Sequence, residues 1–402
     1  MKNPFNKIFP YSRQFIDQSD IKNVVRVLKS GFLTQGPEIL KTEKKIAKFV
    51  GSKYAVLTSS CSSGLHIACK ALQLKKNSNI LTSPITFVST ATSALHCKYK
   101  VLIGDIDKNS LMLSNDDIEK NINVNNIKLV IPVHFAGAPY DIKRLTKIRN
   151  KKNLKIIEDA AHAFGALYKN GDKIGSCKHS DMTVFSFHPV KIIAGGEGGV
   201  VTTNSKELYN RLLELRSHGI NKDPNEKFQN KKEGYTGKQK NLWFYEMKEL
   251  GFNYRQTDIH SALINSQIDK ISKFLKYRKK LVKKYDNWFK DLKNVKITQQ
   301  HLRNLSSHHL YILKINFEKI KISRNDFMKR LRSKGIITQV HYIPLYIHPY
   351  FQKNSNFKVL SKKNSDEYYQ KCLSIPVYYN LKSKEQKYIF NQIKFLVQNK
   401  GK

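Results

Sequence analysis

Short apolar runs, separated by longer polar stretches with helical spacing, organise the first 260 or so residues. The runs are YAVLTSS (54–60), NILTSPITFV (79–88), VLIGDI (101–106), IKLVIPVHF (127–135), LKIIEDA (154–160), MTVFSFH (182–188) and GGVVTT (198–203). Several are rich in Val and Ile without clean polar alternation, the pattern of strands covered on both faces of a mostly parallel sheet. Helical segments such as Ser63–Leu72 and Asn115–Lys120 lie between them. Alternating strands and helices predict an α/β domain. Near residue 260 the texture changes. TDIHSALINSQIDKI carries Ile259, Ala262 and Leu263 at helical spacing, and the charged segment KFLKYRKKLVKKYDNWFKDL reads as an amphipathic helix leaving the first domain. The remainder mixes strands such as HHLYILKINF (308–317) with helices. The pattern predicts a large domain over 1–265 and a smaller α+β domain over 266–402. The polar, glycine-containing stretch 222–241 reads as a surface loop or flap.

Composition narrows the class. A chain of 402 residues with 40% apolar content supports two domains and a large core. No apolar run approaches the roughly 18 residues of a membrane span. The opening MKNPFNKIFPYSRQFID lacks the apolar core of a secretory signal. Five cysteines, Cys61, Cys69, Cys97, Cys177 and Cys372, form no CxxC pair and no metal spacing. These features predict reduced thiols in the cytoplasm and no metal site. The formal charge of +41 raises nucleic acid or anionic membrane as partners. The lysines, however, are spread along a chain rich in Lys, Asn and Ile, with no nucleic-acid-binding motif, which favours a solvated basic surface and no nucleic-acid or membrane partner.

One lysine stands apart. FSFHPVKIIAGGEGG, Phe185 to Gly199, delivers Lys191 from the end of an apolar run into a loop followed by glycines. A lysine desolvated at a strand end has a lowered pKa and serves as nucleophile and proton carrier. IIEDAAHAFG ends a strand on Asp159 and places His162 three residues on. A carboxylate at the C-terminal end of an α/β strand lies where ligands bind. Against pyridoxal phosphate (PLP) it would keep the pyridine nitrogen protonated, and His162 would donate to the phenolate oxygen. TSSCSSGLHIA opens a helix whose backbone N–H groups would receive a phosphate, with hydroxyls of Ser60, Ser62 and Ser63 nearby. Phe87 in TSPITFVSTA offers a flat surface beside the site. Taken singly, each has a plain reading as well: a surface lysine, a helix cap, a core histidine, a core aromatic.

As an ordered set these stretches resemble the sugar aminotransferases among the fold-type I PLP enzymes, from about Tyr11 to about Leu381. Further matching stretches are GFLTQGP (31–37), VIPVHFAGAP (130–139), LRSHGI (215–220), ELGFNYRQTDIHSAL (249–263) and QVHYIPLYIHPYF (339–351). The resemblance implies a mostly parallel seven-stranded sheet flanked by helices, with a small C-terminal domain. It implies that Lys191 carries PLP covalently, that Asp159 faces the pyridinium, that His162 meets the phenolate side and that Phe87 covers the ring. Cys61 and Ser62 match the phosphate-cup pair, where relatives often have Gly-Thr or Ala-Thr; a backbone donor survives the cysteine. Ser186 matches a serine reaching the phosphate, and Asn253 an asparagine supplied by a neighbouring subunit, so the resemblance implies a homodimer with a shared active site. Tyr11, Gly31, Phe32, Leu33, Thr34, His341, Tyr342, Ile343 and Pro344 match the sugar-nucleotide site. Motifs also pick out His134 and His218, without a role. Within the family the chain is most similar to the branch that moves the amino group of L-glutamate to C4 of a UDP-linked 4-keto-6-deoxy-N-acetylhexosamine, towards pseudaminic acid. Sister enzymes on bacillosamine- or perosamine-type sugars share much of the pattern. A sugar 3-dehydrase typically has histidine where Lys191 stands, and a non-catalytic PLP-binding regulator is the remaining alternative.

Overall fold

In the computed structural model, which describes residues 3–152, 154–221 and 227–399, each of the seven apolar runs yields a strand. They are β1 Tyr54–Thr58, β2 Asn79–Thr82, β3 Lys100–Ile103, β4 Ile127–Ile131, β5 Lys155–Asp159, β6 Met182–Ser186 and β7 Gly199–Thr203. Their order is β1-β7-β6-β5-β4-β2-β3, and a strand not anticipated, Phe357–Val359, extends the β3 edge to make eight. β7 is antiparallel to both neighbours and the other pairs are parallel. The run 79–88 is a strand only as far as Thr82, because Pro84 has no N–H to continue the ladder.

Both faces of the sheet are covered, as the unbroken apolar runs require. Val56, Val184 and Val201 belong to one buried cluster, while Leu57, Phe185 and Val200 belong to another. Neighbouring residues of one strand thus feed opposite faces. Four helices frame the first strands: α1 Gln18–Leu28, α2 Pro37–Val50, α3 Cys61–Ala71 and α4 Ser89–His96. Ile39, Ile46 and Val50 of α2 pack on one face, and Leu65, Ile67 and Ala68 of α3 on the other.

A second core lies under an antiparallel sheet of Val295–Ile297, Tyr311–Ile315 and Cys372–Ile375. The helix Ile271–Phe289 buries Ile271, Phe274, Leu281, Val282, Tyr285 and Phe289, the three-and-four spacing of an amphipathic helix. We propose that a division near 265/266, within the helix Asp258–Asp269, separates the two cores. The chain crosses it at both ends, since Phe9 is buried in the second core and Phe357–Val359 joins the large sheet. Of the expected flap, residues 222–226 lie outside the described residues. The rest contains the short helix Lys231–Gly234 and a hairpin of Tyr235–Thr236 with Gln239–Lys240. No helix among the described residues is long and apolar enough to cross a membrane, and none of their His, Cys, Asp and Glu side chains cluster as a metal site.

Candidate active site

Strands β1, β5 and β6 run in one direction, so their C-terminal ends open on one edge of the sheet. There they border a cavity of about 790 Å³, a size suited to a cofactor together with a substrate. Its walls include Tyr11, Cys61, Ser62, Phe87, Asp159, His162, Ser186, Lys191, His341, Tyr342 and Ile343. A second cleft, about 250 Å³ and bordered by Tyr140, Arg144 and His179, contains none of these groups.

Lys191 sits on a loop closed at its base by two backbone bonds, Phe187 N–H to Gly198 O (2.8 Å) and Gly195 N–H to Phe187 O (2.7 Å). The Ser12 hydroxyl donates to Val190 O at 2.7 Å and ties the N-terminal arm to this loop. Enclosure lowers the Lys191 pKa to about 8, against the smaller opposing influence of Cys61 and Asp159. Among the described residues its Nζ has no hydrogen-bond or ion-pair partner. Asp159, at the end of β5, is buried. Its carboxylate accepts from Thr90 Oγ1 (2.6 Å) and from Ala161 N–H (3.1 Å). Burial raises its pKa and the two donors pull it back. It too forms no ion pair among the described residues.

The third element is the start of α3. Ser60 and Ser63 form a reciprocal cap there, with bonds of 3.1 and 2.9 Å. Their hydroxyls are therefore committed to the helix, contrary to the sequence expectation that they would serve a phosphate. The Ser62 hydroxyl and the N–H groups of Cys61 and Ser62 remain for a ligand. Burial pushes the Cys61 thiol well above its ordinary range. The glycines after Lys191 make room for close packing. A Cβ at Gly199 would lie 2.4 Å from Ser60 O and 2.6 Å from Cys61 N, and one at Gly195 would strike Ile264 at 2.6 Å. They let the loop and β7 close on α3 and on the helix Asp258–Asp269.

His162 accepts from Ala136 N–H at Nδ1 (3.3 Å) and pairs through Nε2 with Tyr342 Oη (2.9 Å). Burial, and secondarily Lys191, drives its pKa well below the usual histidine range. His341 is likewise pushed down to about 3 by burial and by Lys191. Its Nδ1 meets Ser374 Oγ at 2.8 Å, and its ring lies 4.9 Å from that of Tyr11. Phe87 stands over the cavity, 56% exposed. Pro344 is buried behind the wall and does not border the cavity.

Gly31, Phe32, Leu33, Thr34 and Asn253 do not reach this cavity and are exposed. The 31–37 turn is anchored instead by Asp258, whose carboxylate accepts from Gly36 N–H and Glu38 N–H at 2.8 and 2.9 Å. His134 is a structural residue: fully buried, it donates to Glu158 at 2.8 Å and accepts from Tyr140 N–H at 3.0 Å. His218 is exposed and in the left-handed region, φ 63°. Sequence reasoning missed Thr90, although it lies three residues after Phe87, one turn along the same helical start.

The profile of the DegT/DnrJ/EryC1/StrS aminotransferase family matches residues 14–394. The chain belongs to that family. The aminotransferase is 34% identical over 383 residues to the UDP-4-amino-4,6-dideoxy-N-acetyl-beta-L-altrosamine transaminase of Campylobacter jejuni, covering 94% of this chain and 95% of that one. It is 33% identical over 374 residues to the spore coat polysaccharide biosynthesis protein SpsC of Bacillus subtilis, covering 93% of each. Its fold superposes with TM-score 0.88 on PseC of Helicobacter pylori, an aminotransferase involved in the biosynthesis of pseudoaminic acid, at 29% identity over 98% of this chain and 100% of that one. It is a sugar aminotransferase, and enzymes of this family depend on PLP. The site fits that cofactor. Among the described residues, a buried carboxylate with no ion-pair partner, an amine with no hydrogen-bond partner and the start of a helix border one cavity. These demands match a pyridinium, an aldehyde and a phosphate.

Proposed function

We propose that the aminotransferase moves the amino group of L-glutamate to C4 of a UDP-linked 4-keto-6-deoxy-N-acetylhexosamine, giving UDP-4-amino-4,6-dideoxy-N-acetyl-beta-L-altrosamine and 2-oxoglutarate, in the cytoplasm. The observation that carries the reaction type is the convergence of unpaired Lys191, Asp159 and the α3 N-terminus. Similarity to the transaminase from Campylobacter jejuni and to PseC supports the choice of sugar.

PLP bound here supplies an electrophilic carbon for the donor amine and a sink for the electron pair left when a proton departs. Lys191 anchors the cofactor. Its Nζ, with the pKa lowered to about 8 by enclosure, would be the group that accepts a proton from the substrate's α-carbon and gives it up again at a neighbouring carbon. Asp159 stays ionised against a cationic ring nitrogen, because a counter-charge reverses the cost of its burial. Thr90 and Ala161 aim the carboxylate. Backbone N–H groups of Cys61 and Ser62 would hold the phosphate, with the hydroxyls of Ser62 and Ser186 beside them, and Phe87 would lie against the ring. Tyr11, His341, Tyr342 and Ile343 border the space left for the sugar.

Gly31–Thr34 and Asn253 take part by serving a second subunit's cavity. Phe32, Leu33, Leu242 and Trp243 are exposed apolar residues that such a homodimer would cover. A second reading, a sister transaminase on another nucleotide-linked keto sugar, is favoured by the nearly equal similarity to SpsC.

The test is the visible spectrum of purified protein with L-glutamate, beside Lys191→Ala, followed by a panel of UDP-4-keto sugars. The proposal expects a yellow protein bleached by glutamate and restored fastest by the 4-keto-6-deoxy-N-acetyl sugar. Faster restoration by a different sugar moves the assignment to the sister reaction. A protein that takes up no PLP overturns both.

A further inference from the structure

The hydrogen bonds around His162 have a direction. A backbone N–H only donates, so Ala136 N–H makes Nδ1 of His162 an acceptor. His162 is buried, which drives its pKa well below the usual histidine range, so the neutral ring that accepts at Nδ1 carries its proton on Nε2. Nε2–H therefore donates to Tyr342 Oη across 2.9 Å, and Tyr342 accepts. The hydroxyl hydrogen of Tyr342 is left over. Among the described residues no acceptor stands within hydrogen-bonding reach of it, and Tyr342 borders the large cavity. The ring has little freedom to turn away. His162 lies parallel to it at 19°, His341 meets it edge-on at 4.9 Å, and Phe87 and Phe135 flank it at 6.2 and 6.3 Å.

We propose that Tyr342 is a ligand-binding residue whose hydroxyl hydrogen is left free by the chain Ala136 N–H to His162 to Tyr342, and that this hydrogen bonds an oxygen acceptor of a ligand bound in the cavity. The acceptor is a phenolate or keto oxygen, on the cofactor or on the sugar. The inference rests on the cavity being the PLP and nucleotide-sugar site. It changes the expected part of His162, whose Nε2 hydrogen is used by Tyr342: the hydrogen bond reaches the ligand through the phenol.

Equilibrium binding tests it, with PLP on apo protein and a UDP-4-keto sugar on protein loaded with the amino form of the cofactor. Tyr342→Phe is expected to weaken one of these affinities about tenfold, the loss of one hydrogen bond to a charged or strongly polar oxygen. The arm that moves identifies the source of the acceptor. His162→Gln keeps an acceptor and a donor at similar spacing and is expected to retain the Tyr342-dependent affinity. His162→Leu removes the donor that orients the hydroxyl and is expected to lose part of that affinity, and the double variant no more than Tyr342→Phe alone. Unchanged affinities in Tyr342→Phe, or losses that multiply in the double variant, overturn the proposal. A ligand-free readout separates it from the functional reading. Side-chain ¹⁵N spectra of apo protein, with His162 assigned by its variant, are expected to show bare Nδ1 and protonated Nε2. Protonated Nδ1 overturns the fixed polarity even if PLP binds, whereas failure to bind PLP with bare Nδ1 counts against the functional reading alone.

Discussion

Lys191 and Asp159 stood out in the sequence because Asp159 closes an apolar run and Lys191 follows shortly after one, and a strand end in an α/β sheet is where chemistry accumulates. Their energetics yield separable tests. Burial lowers the Lys191 pKa from the ordinary 10.5 of an unfolded chain to about 8. Between those values the unfolded chain holds the extra proton, so stability climbs with pH across that window, and below about 8 the apo protein bears the whole cost of enclosing an ammonium. Lys191→Met removes that cost. Its advantage over unsubstituted apo protein in urea unfolding is expected to be largest below pH 8 and gone by about 10.5. Asp159→Asn preserves shape and removes charge, and kcat/KM should fall about 10²–10³-fold, as when a preorganised electrostatic group is lost. Thr90→Val should cost roughly ten- to a hundredfold in kcat/KM, with the fold intact by circular dichroism, because a charge-assisted bond to the carboxylate is gone. Thr90 escaped sequence reasoning because its partner is 69 residues away. A different problem hid the use of Ser60 and Ser63, which bond each other only three residues apart: a serine-rich helix start looks the same whether its hydroxyls serve a ligand or the helix itself.

At the scale of elements, the seven strands were legible because a strand buried on both faces must be apolar throughout. The eighth, Phe357–Val359, was not, since three residues at a sheet edge leave no periodic trace. The crossing of β7 over the start of α3 is decided by contact alone. Gly199→Ala places a methyl against Ser60 O and Cys61 N, so the helix N-terminus has to move. The expected result is about 1–3 kcal/mol of destabilisation in denaturant titration together with weakened PLP affinity. Gly31→Ala, where a Cβ meets nothing within 4 Å, is the control and should change neither in the isolated subunit.

For the whole molecule, the decisive question is whether Asn253 serves a partner's cavity. Lys191→Ala and Asn253→Ala proteins are each expected to be nearly inactive. Subunits mixed and reassembled at equal amounts should regain about a quarter of full activity, because half the dimers are mixed and each holds one intact site. No regain means that Asn253 acts elsewhere. The charge of +41 belongs to this scale too. A basic surface speeds capture of a diphosphate-linked substrate, so kcat/KM for the sugar should fall with added salt while kcat holds.

The amino-acid sequence by itself indicated seven of the eight strands of the large sheet, and the lysine, aspartate and helix start that border the large cavity. Each of these is a local demand: burial on one face or both, a strand end, a capped turn. Tertiary structure decided who bonds to whom. His162 and Tyr342 are 180 residues apart, and Ser12 and Val190 are 178 apart. A hydrogen bond depends on a few tenths of an ångström and on which atom carries the proton, and neither is written in residue order.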